Sequence, residues 1–130
     1  MTKQLGIKTS AEKVLLHGIG CSGGLAAIRT AANLALGSTF RKKPARILVL
    51  ACEISTLLLR LELDSIDKDQ TVRIGACLFS DGASSAILSN GVALADELAD
   101  PIYEILGWKH DIVADTENDL GFDVDPLGIT

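Results

Sequence analysis

Fifteen residues, Val14-Leu15-Leu16-His17-Gly18-Ile19-Gly20-Cys21-Ser22-Gly23-Gly24-Leu25-Ala26-Ala27-Ile28, limit what this chain can fold into. An apolar run of strand length enters a glycine-dense corner and leaves it as a helix. Gly18, Gly20, Gly23 and Gly24 permit a tight turn and close backbone approach that side chains would block. Beyond them, Leu25, Ile28, Ala31, Ala32, Leu34, Ala35 and Leu36 recur at helical spacing and predict a largely buried helix closed by Gly37. Cys21 sits at the corner itself. A thiol there lies near the first amides of a helix, where partial positive charge favours a thiolate. The pattern is that of a nucleophile elbow with cysteine in the place of serine.

Two other readings fit the same residues. A cysteine at a glycine turn often serves as a small buried hydrophobe. Gly18-Ile19-Gly20-Cys21-Ser22-Gly23 also satisfies G-x-G-x-x-G, which between a strand and a helix marks a dinucleotide-binding βαβ module using Gly18, Gly20 and Gly23. That fingerprint expects an acid about 20 residues further on, whereas Glu53 follows Gly23 by 30 positions. A cysteine-hydrolase elbow, G-x-C-x-G, fits less well because Ile19 stands where glycine is needed.

With 130 residues, 48% hydrophobic content and 4% aromatics, the chain suits a single aliphatic α/β domain burying roughly two thirds of its unfolded surface. A net charge of −5 and a basic cluster limited to Arg41-Lys42-Lys43 argue against a nucleic-acid surface. No hydrophobic signal region opens the chain, and no apolar run is long enough to span a bilayer. Three cysteines without metal-like spacing point to no metal site, no disulfide framework and a reducing, cytoplasmic compartment.

In chain order, residues 1–12 read as the end of a helix and a loop, and Lys13 to His17 as a short buried strand. The elbow and its helix follow, then a loop with Pro44 and an apolar strand from Arg46 to Ala51. Strand, helix and strand at this spacing predict a βαβ unit and parallel pairing. Glu53 to Leu59 read as irregular, Glu62 to Asp69 as an acidic loop, and Gln70 to Leu78 as a helix. Phe79 to Ala83 form a turn, Ser84 to Ser89 a third strand, and Ile102 to Trp108 a fourth. On this reading Cys52 ends a buried strand and Cys77 lies on an apolar helix face, which leaves Cys21 as the reactive thiol. Two histidines are available as partners, His17 at a strand end and His110 in a polar loop.

Gly20-Cys21-Ser22-Gly23-Gly24, Ile47-Leu48-Val49-Leu50-Ala51-Cys52-Glu53-Ile54 and Leu78-Phe79-Ser80-Asp81-Gly82-Ala83, in this order, resemble the type III polyketide synthases. These form the chalcone and stilbene synthase family of the thiolase superfamily, and the nearest likeness is to fungal members. The resemblance implies an α/β, thiolase-like, partial αβαβα layered fold with a mainly parallel central sheet. Residues 1–108 would be the later part of the N-terminal chalcone/stilbene synthase-like domain, and 109–130 the truncated start of the C-terminal half.

It further implies an acyltransferase in which Cys21 accepts a starter acyl group from acyl-coenzyme A for decarboxylative extension with malonyl-coenzyme A. Both are substrates, and no cofactor is implied. Phe79 falls on the family's first gatekeeper phenylalanine, between the coenzyme A tunnel and the reaction cavity. Ser55 and Leu58 fall on cavity-lining positions, Leu58 where plant chalcone synthases carry threonine. Gly128-Ile129-Thr130 resembles the stretch before the second gatekeeper. The family's histidine and asparagine lie beyond Thr130, so the resemblance implies a fragment that is inactive alone, taken from an enzyme expected to be a homodimer. The nucleotide-binding module and a non-catalytic remnant are the competing functions.

Overall fold

A computed structural model describes residues 4–70, 72–95, 100–119, 124–125 and 128–129. Residues 4–12 form turns and the expected loop but not the expected helix end, and 1–3 lie outside the described residues. The following stretch, Lys13 to His17, forms no strand, and Leu15 is 86% exposed. Its apolar pattern was read as a buried strand. Pattern alone does not make one, because extended backbone needs a neighbouring ladder to satisfy its N–H and C=O groups, and no described segment pairs with it.

A single 3₁₀ turn, Gly20–Ser22, leads directly into helix α1, Gly23–Phe40. The helix continues past Gly37, where the sequence suggested closure, and stops at Arg41. Lys42 takes a left-handed conformation (φ 53°) and Pro44 follows, disfavouring helical geometry at Lys43. Thr30 and Thr39 donate their hydroxyls to the carbonyls of Ala26 and Ala35 one turn back, at 2.8 and 3.0 Å. Ala31 and Ala35, spaced i and i+4, are the buried face. Their small side chains let α1 lie close on the sheet. The leucines expected to be buried are not: Leu25, Leu34 and Leu36 are exposed.

The sheet pairs β1, Arg46–Glu53, with β2, Gly82–Ser89, in register from Arg46 opposite Ser89 to Glu53 opposite Gly82. The pair is antiparallel. The parallel partner expected of the βαβ unit is missing because Lys13 to His17 is not a strand. β1 is apolar on both sides, the pattern of a strand covered on both faces. Here α1 covers one face, burying Val49, while Leu48, Leu50 and Ile87 are exposed on the other.

Between the strands lies α2, Thr56–Asp69, where the sequence suggested irregular chain and an acidic loop. Its inward stripe is Leu58, Leu61, Glu62, Ser65 and Ile66, which has helical spacing but contains a glutamate and a serine. Gln70 ends the helix in a left-handed conformation, donating its amide to the Ile66 carbonyl at 2.9 Å. The helix expected from Gln70 is therefore shorter, α3, Ile74–Leu78; its expected position Thr71 lies outside the described residues. Val72, Ile74 and Leu78, expected on a packed face, are exposed. α3 is fastened to α2 by Arg73, whose guanidinium donates to the Ser65 hydroxyl at 2.5 Å and lies 3.7 Å from Asp69.

After β2 a short helix, α4, spans Gly91–Leu94. Ile102 to Trp108, expected as a fourth strand, forms none among the described residues. Two-residue strands β3, Val124–Asp125, and β4, Gly128–Ile129, pair antiparallel, and β4 lies beside α2. Thr130, and residues 121–123 and 126 of the unpatterned tail, lie outside the described residues. No helix among the described residues is long and apolar enough to cross a membrane.

Among the described residues the buried apolar ones are Ala31, Ala35, Ala45, Val49 and Ala93, all small. The accessible surface is 11073 Å², against about 6,600 Å² for a compact monomer of this mass. Folding thus removes about 45% of the unfolded chain's surface rather than two thirds. Exposed apolar side chains on the sheet face and the helices, Leu48, Leu50, Ile87, Leu25 and Phe40 among them, contribute to the difference.

Candidate active site

Gly18 and Gly20 both have φ of 73°, a conformation that a side chain resists, and no atom lies within 4 Å of where either Cβ would stand. The two left-handed glycines lead into the 3₁₀ turn that holds Cys21, two residues before α1. Cys21 is exposed. Ser22, at the N-cap of α1, makes no side-chain cap bond, and the first turn holds no acidic residue. The Gly23 amide donates to the Gly20 carbonyl, and no side chain caps the amides behind it, so the positive end of the helix dipole favours negative charge developing beside the thiol. The glycine turn enters a helix as expected, but the strand expected to lead into it does not form. The dinucleotide fingerprint requires that strand, so Gly18, Gly20 and Gly23 lack the setting for a nucleotide-binding module.

Cys52 and Cys77 are also exposed, contrary to the expectation that burial would set them apart from Cys21. The sheet face and helix face that would bury them are uncovered here. What distinguishes Cys21 is its position before an uncapped helix. All three thiols are free, and no group of metal-ligating side chains exists among the described residues.

The other implied site residues gather beyond the C-terminal end of β1, the end at which Gly24 in the first turn of α1 meets Ala51 and Ser84. Ser55, half-buried, donates its hydroxyl to the Ser80 carbonyl at 3.2 Å, and Leu58, also half-buried, donates its amide to the Ser55 carbonyl at 3.0 Å. Phe79 leaves α3 in extended conformation and is 44% exposed. Ser55, Leu58 and Phe79 therefore flank one junction, between the head of α2 and the turn before β2. A cleft of about 90 Å³ runs between α1 and the sheet, lined by Gly24, Ile28, Val49, Ala51 and Ser84 to Ala86. It meets a wider depression of about 370 Å³ at Ala51 and Ser84, bounded by Ser80 and Gly82. The trough thus runs from the first turn of α1, three residues after Cys21, to the residue after Phe79. Cys21, Phe79, Ser55 and Leu58 border this trough in sequence but do not line it.

At the junction lies a residue that the sequence presented only as part of a turn. Asp81 accepts the Thr56 amide on Oδ1 at 2.8 Å and the Thr56 hydroxyl on Oδ2 at 2.6 Å. The Thr56 hydroxyl, then the Thr56 amide, and to a lesser degree the Ser55 amide hold the Asp81 carboxyl below the ordinary aspartate value of 3.8. Its partners stand 25 residues earlier in the chain, a pairing that no local pattern announces.

Neither histidine is drawn to Cys21. His17 is exposed on the segment before the glycine turn. His110, expected in a free polar loop, receives the Arg29 guanidinium on Nδ1 at 2.6 Å, which ties the 100–119 segment to α1. Nδ1 is the acceptor in that contact, so its lone pair is engaged.

Comparison with known proteins now places the chain. The family described as chalcone and stilbene synthases, N-terminal domain, matches residues 1–92, and the chain belongs to it. Acylalkylpyrone synthase csyB of Aspergillus oryzae is 43% identical over 128 residues, covering 98% of this chain and 32% of that protein. The crystal structure of a fungal type III polyketide synthase, ORAS, is 61% identical, with a TM-score of 0.81 over 98% of this chain and 34% of its own. The structure of CsyB complexed with CoA-SH is 42% identical, with a TM-score of 0.83 over 98% of this chain and 34% of its own. The chain spans about a third of the length of these relatives. The fold is a partial, thiolase-like α/β fold, as its resemblance implied.

Proposed function

We propose that this chain carries the acyl-accepting part of a type III polyketide synthase, with Cys21 as the nucleophile. One observation supports the reading above others: the exposed Cys21 thiol stands on a two-glycine turn before a helix with no side-chain cap. The Cys21 thiolate attacks the carbonyl carbon of an acyl-coenzyme A. A new S–C bond forms, the bond to coenzyme A sulfur breaks, and the coenzyme A thiolate leaves, taking up the proton that Cys21 gave up. The amides at the start of α1 stabilise charge as it develops at that end. Acyl- and malonyl-coenzyme A are the substrates, with no metal or bound cofactor in the scheme. The relative whose structure is complexed with CoA-SH supports the coenzyme A part. Phe79, Ser55 and Leu58 act at the junction beyond the trough, Phe79 on access and the other two on acyl-chain fit. In the intact enzyme we place the protein in the cytoplasm as a homodimer.

Extension is a different step. Loss of carbon dioxide from malonyl-coenzyme A leaves an enolate whose oxygen needs donors already in place, each worth about 10²–10³ in rate. His17 is exposed, and His110 is held by Arg29. This chain by itself therefore accepts an acyl group and stops there. Incubation with malonyl-coenzyme A labelled in the free carboxylate is the test. Release of labelled carbon dioxide no faster than from a Cys21→Ala control is expected; Cys21-dependent release would show that the described residues hold a complete extension site.

A further inference from the structure

Helix α2 has no cap of its own. Ser55 occupies the N-cap position, but its side chain caps nothing and instead donates to the Ser80 carbonyl. The capping role is filled from another segment by Asp81, whose two carboxylate oxygens take the amide and the hydroxyl of Thr56. Three hydrogen bonds thus join the Phe79–Asp81 turn to the head of α2. Two of them are charge-assisted, which is the stronger kind, and a carboxylate at a helix N-terminus is also favoured by the helix dipole. The low proton affinity of Asp81 is consistent with a carboxylate held ionised by those donors.

The clamp acts on the position of Phe79. Between the end of α3 at Leu78 and the clamped Asp81 lie only Phe79 and Ser80. Phe79 is tethered on one side by its amide to the Gly75 carbonyl at 3.1 Å, and Ser80 on the other by the Ser55 hydroxyl at 3.2 Å. With both sides fixed, the direction of the ring relative to Ser55 and Leu58 follows from where Asp81 is held. We propose that Asp81 is a positioning residue for acyl selection: by clamping Thr56 it keeps Phe79 in register with Ser55 and Leu58, and so sets which acyl chains reach Cys21. This role rests on the acyl-transfer reading above.

The test compares the parent chain with Asp81→Ala, Thr56→Val and Thr56→Ser. Two rates of Cys21 acylation, from a short-chain and a long-chain acyl-coenzyme A, are followed by mass spectrometry. Alkylation of Cys21 by iodoacetamide, a probe too small to need chain selection, is measured beside them. Loss of the whole clamp in Asp81→Ala, and of its hydroxyl bond alone in Thr56→Val, is expected to change the long-to-short ratio by about fivefold, the scale of one hydrogen bond, with alkylation unchanged. Thr56→Ser, which keeps both donors, is expected to restore the parent ratio. An unchanged ratio in Asp81→Ala overturns the role, as does a Thr56→Ser chain that behaves like Thr56→Val. So does a drop in alkylation that matches the drop in both acylation rates, which marks a purely structural clamp. A parent chain that takes up no acyl group removes the acyl-transfer reading and this role together; a parent that is acylated with a selectivity indifferent to Asp81 removes this role alone.

Discussion

Asn90 is buried among five partners drawn from three segments. Its Oδ1 accepts the amides of Ala45 and Ala93, each at 3.0 Å, and its Nδ2 donates to the Lys43 carbonyl at 2.9 Å, the Thr39 hydroxyl at 3.1 Å and the Ala35 carbonyl at 3.4 Å. One amide therefore fastens the end of α1 to the start of β1 and caps α4. Asn90→Ala is expected to lower the unfolding free energy by at least about 2 kcal/mol, since several buried groups lose their partners together. Asn90→Asp keeps the accepting oxygen but turns the second one toward two carbonyls, and is expected to be no better. A urea midpoint for each, at unchanged slope, checks both. In the sequence Asn90 only follows the strand read over Ser84 to Ser89, and nothing local revealed partners about 45 to 55 residues away. Asp81 escaped notice for the same reason. Cys21 was legible because its setting is local: the glycines that shape its turn are its neighbours.

Legibility at the level of elements followed where the inward stripe was apolar and where a partner existed. α1, β1 and β2 met both conditions and were visible to within a few residues. α2 failed the first, because its stripe includes Glu62 and Ser65, and charge in that window read as a loop. Lys13 to His17 and Ile102 to Trp108 failed the second: their apolar runs are strand-like, but no described strand pairs with them. Gly37 misled in a third way, as a helix-closing signal overridden by packing on the sheet. It now sits inside α1 with ordinary helical backbone, and nothing lies within 4 Å of where its Cβ would be. Gly37→Ala is therefore expected to stabilise the chain by about 0.5–1 kcal/mol. Thermal unfolding of the variant checks this; a lower midpoint would mean that the helix is closed there after all.

At the scale of the whole molecule, the large accessible surface has a measurable consequence. The slope of unfolding free energy against denaturant scales with the surface newly exposed. A chain that buries about 45% of its surface rather than two thirds should show a urea slope about two thirds that of compact domains of equal length. A slope typical of compact domains would mean that the sheet face bearing Leu48, Leu50 and Ile87 is covered in solution. The central chemical claim is tested more directly by mapping thioesters after incubation with an acyl-coenzyme A. Peptide mass spectrometry under acidic, non-reducing conditions distinguishes acyl groups on Cys21, Cys52 and Cys77, all of which are exposed. Accessibility is thus shared and elbow geometry is not. Acylation confined to Cys21, and abolished in Cys21→Ala without appearing elsewhere, is the expected result. Equal labelling of the three cysteines, or labelling of Cys52 or Cys77 ahead of Cys21, would contradict it.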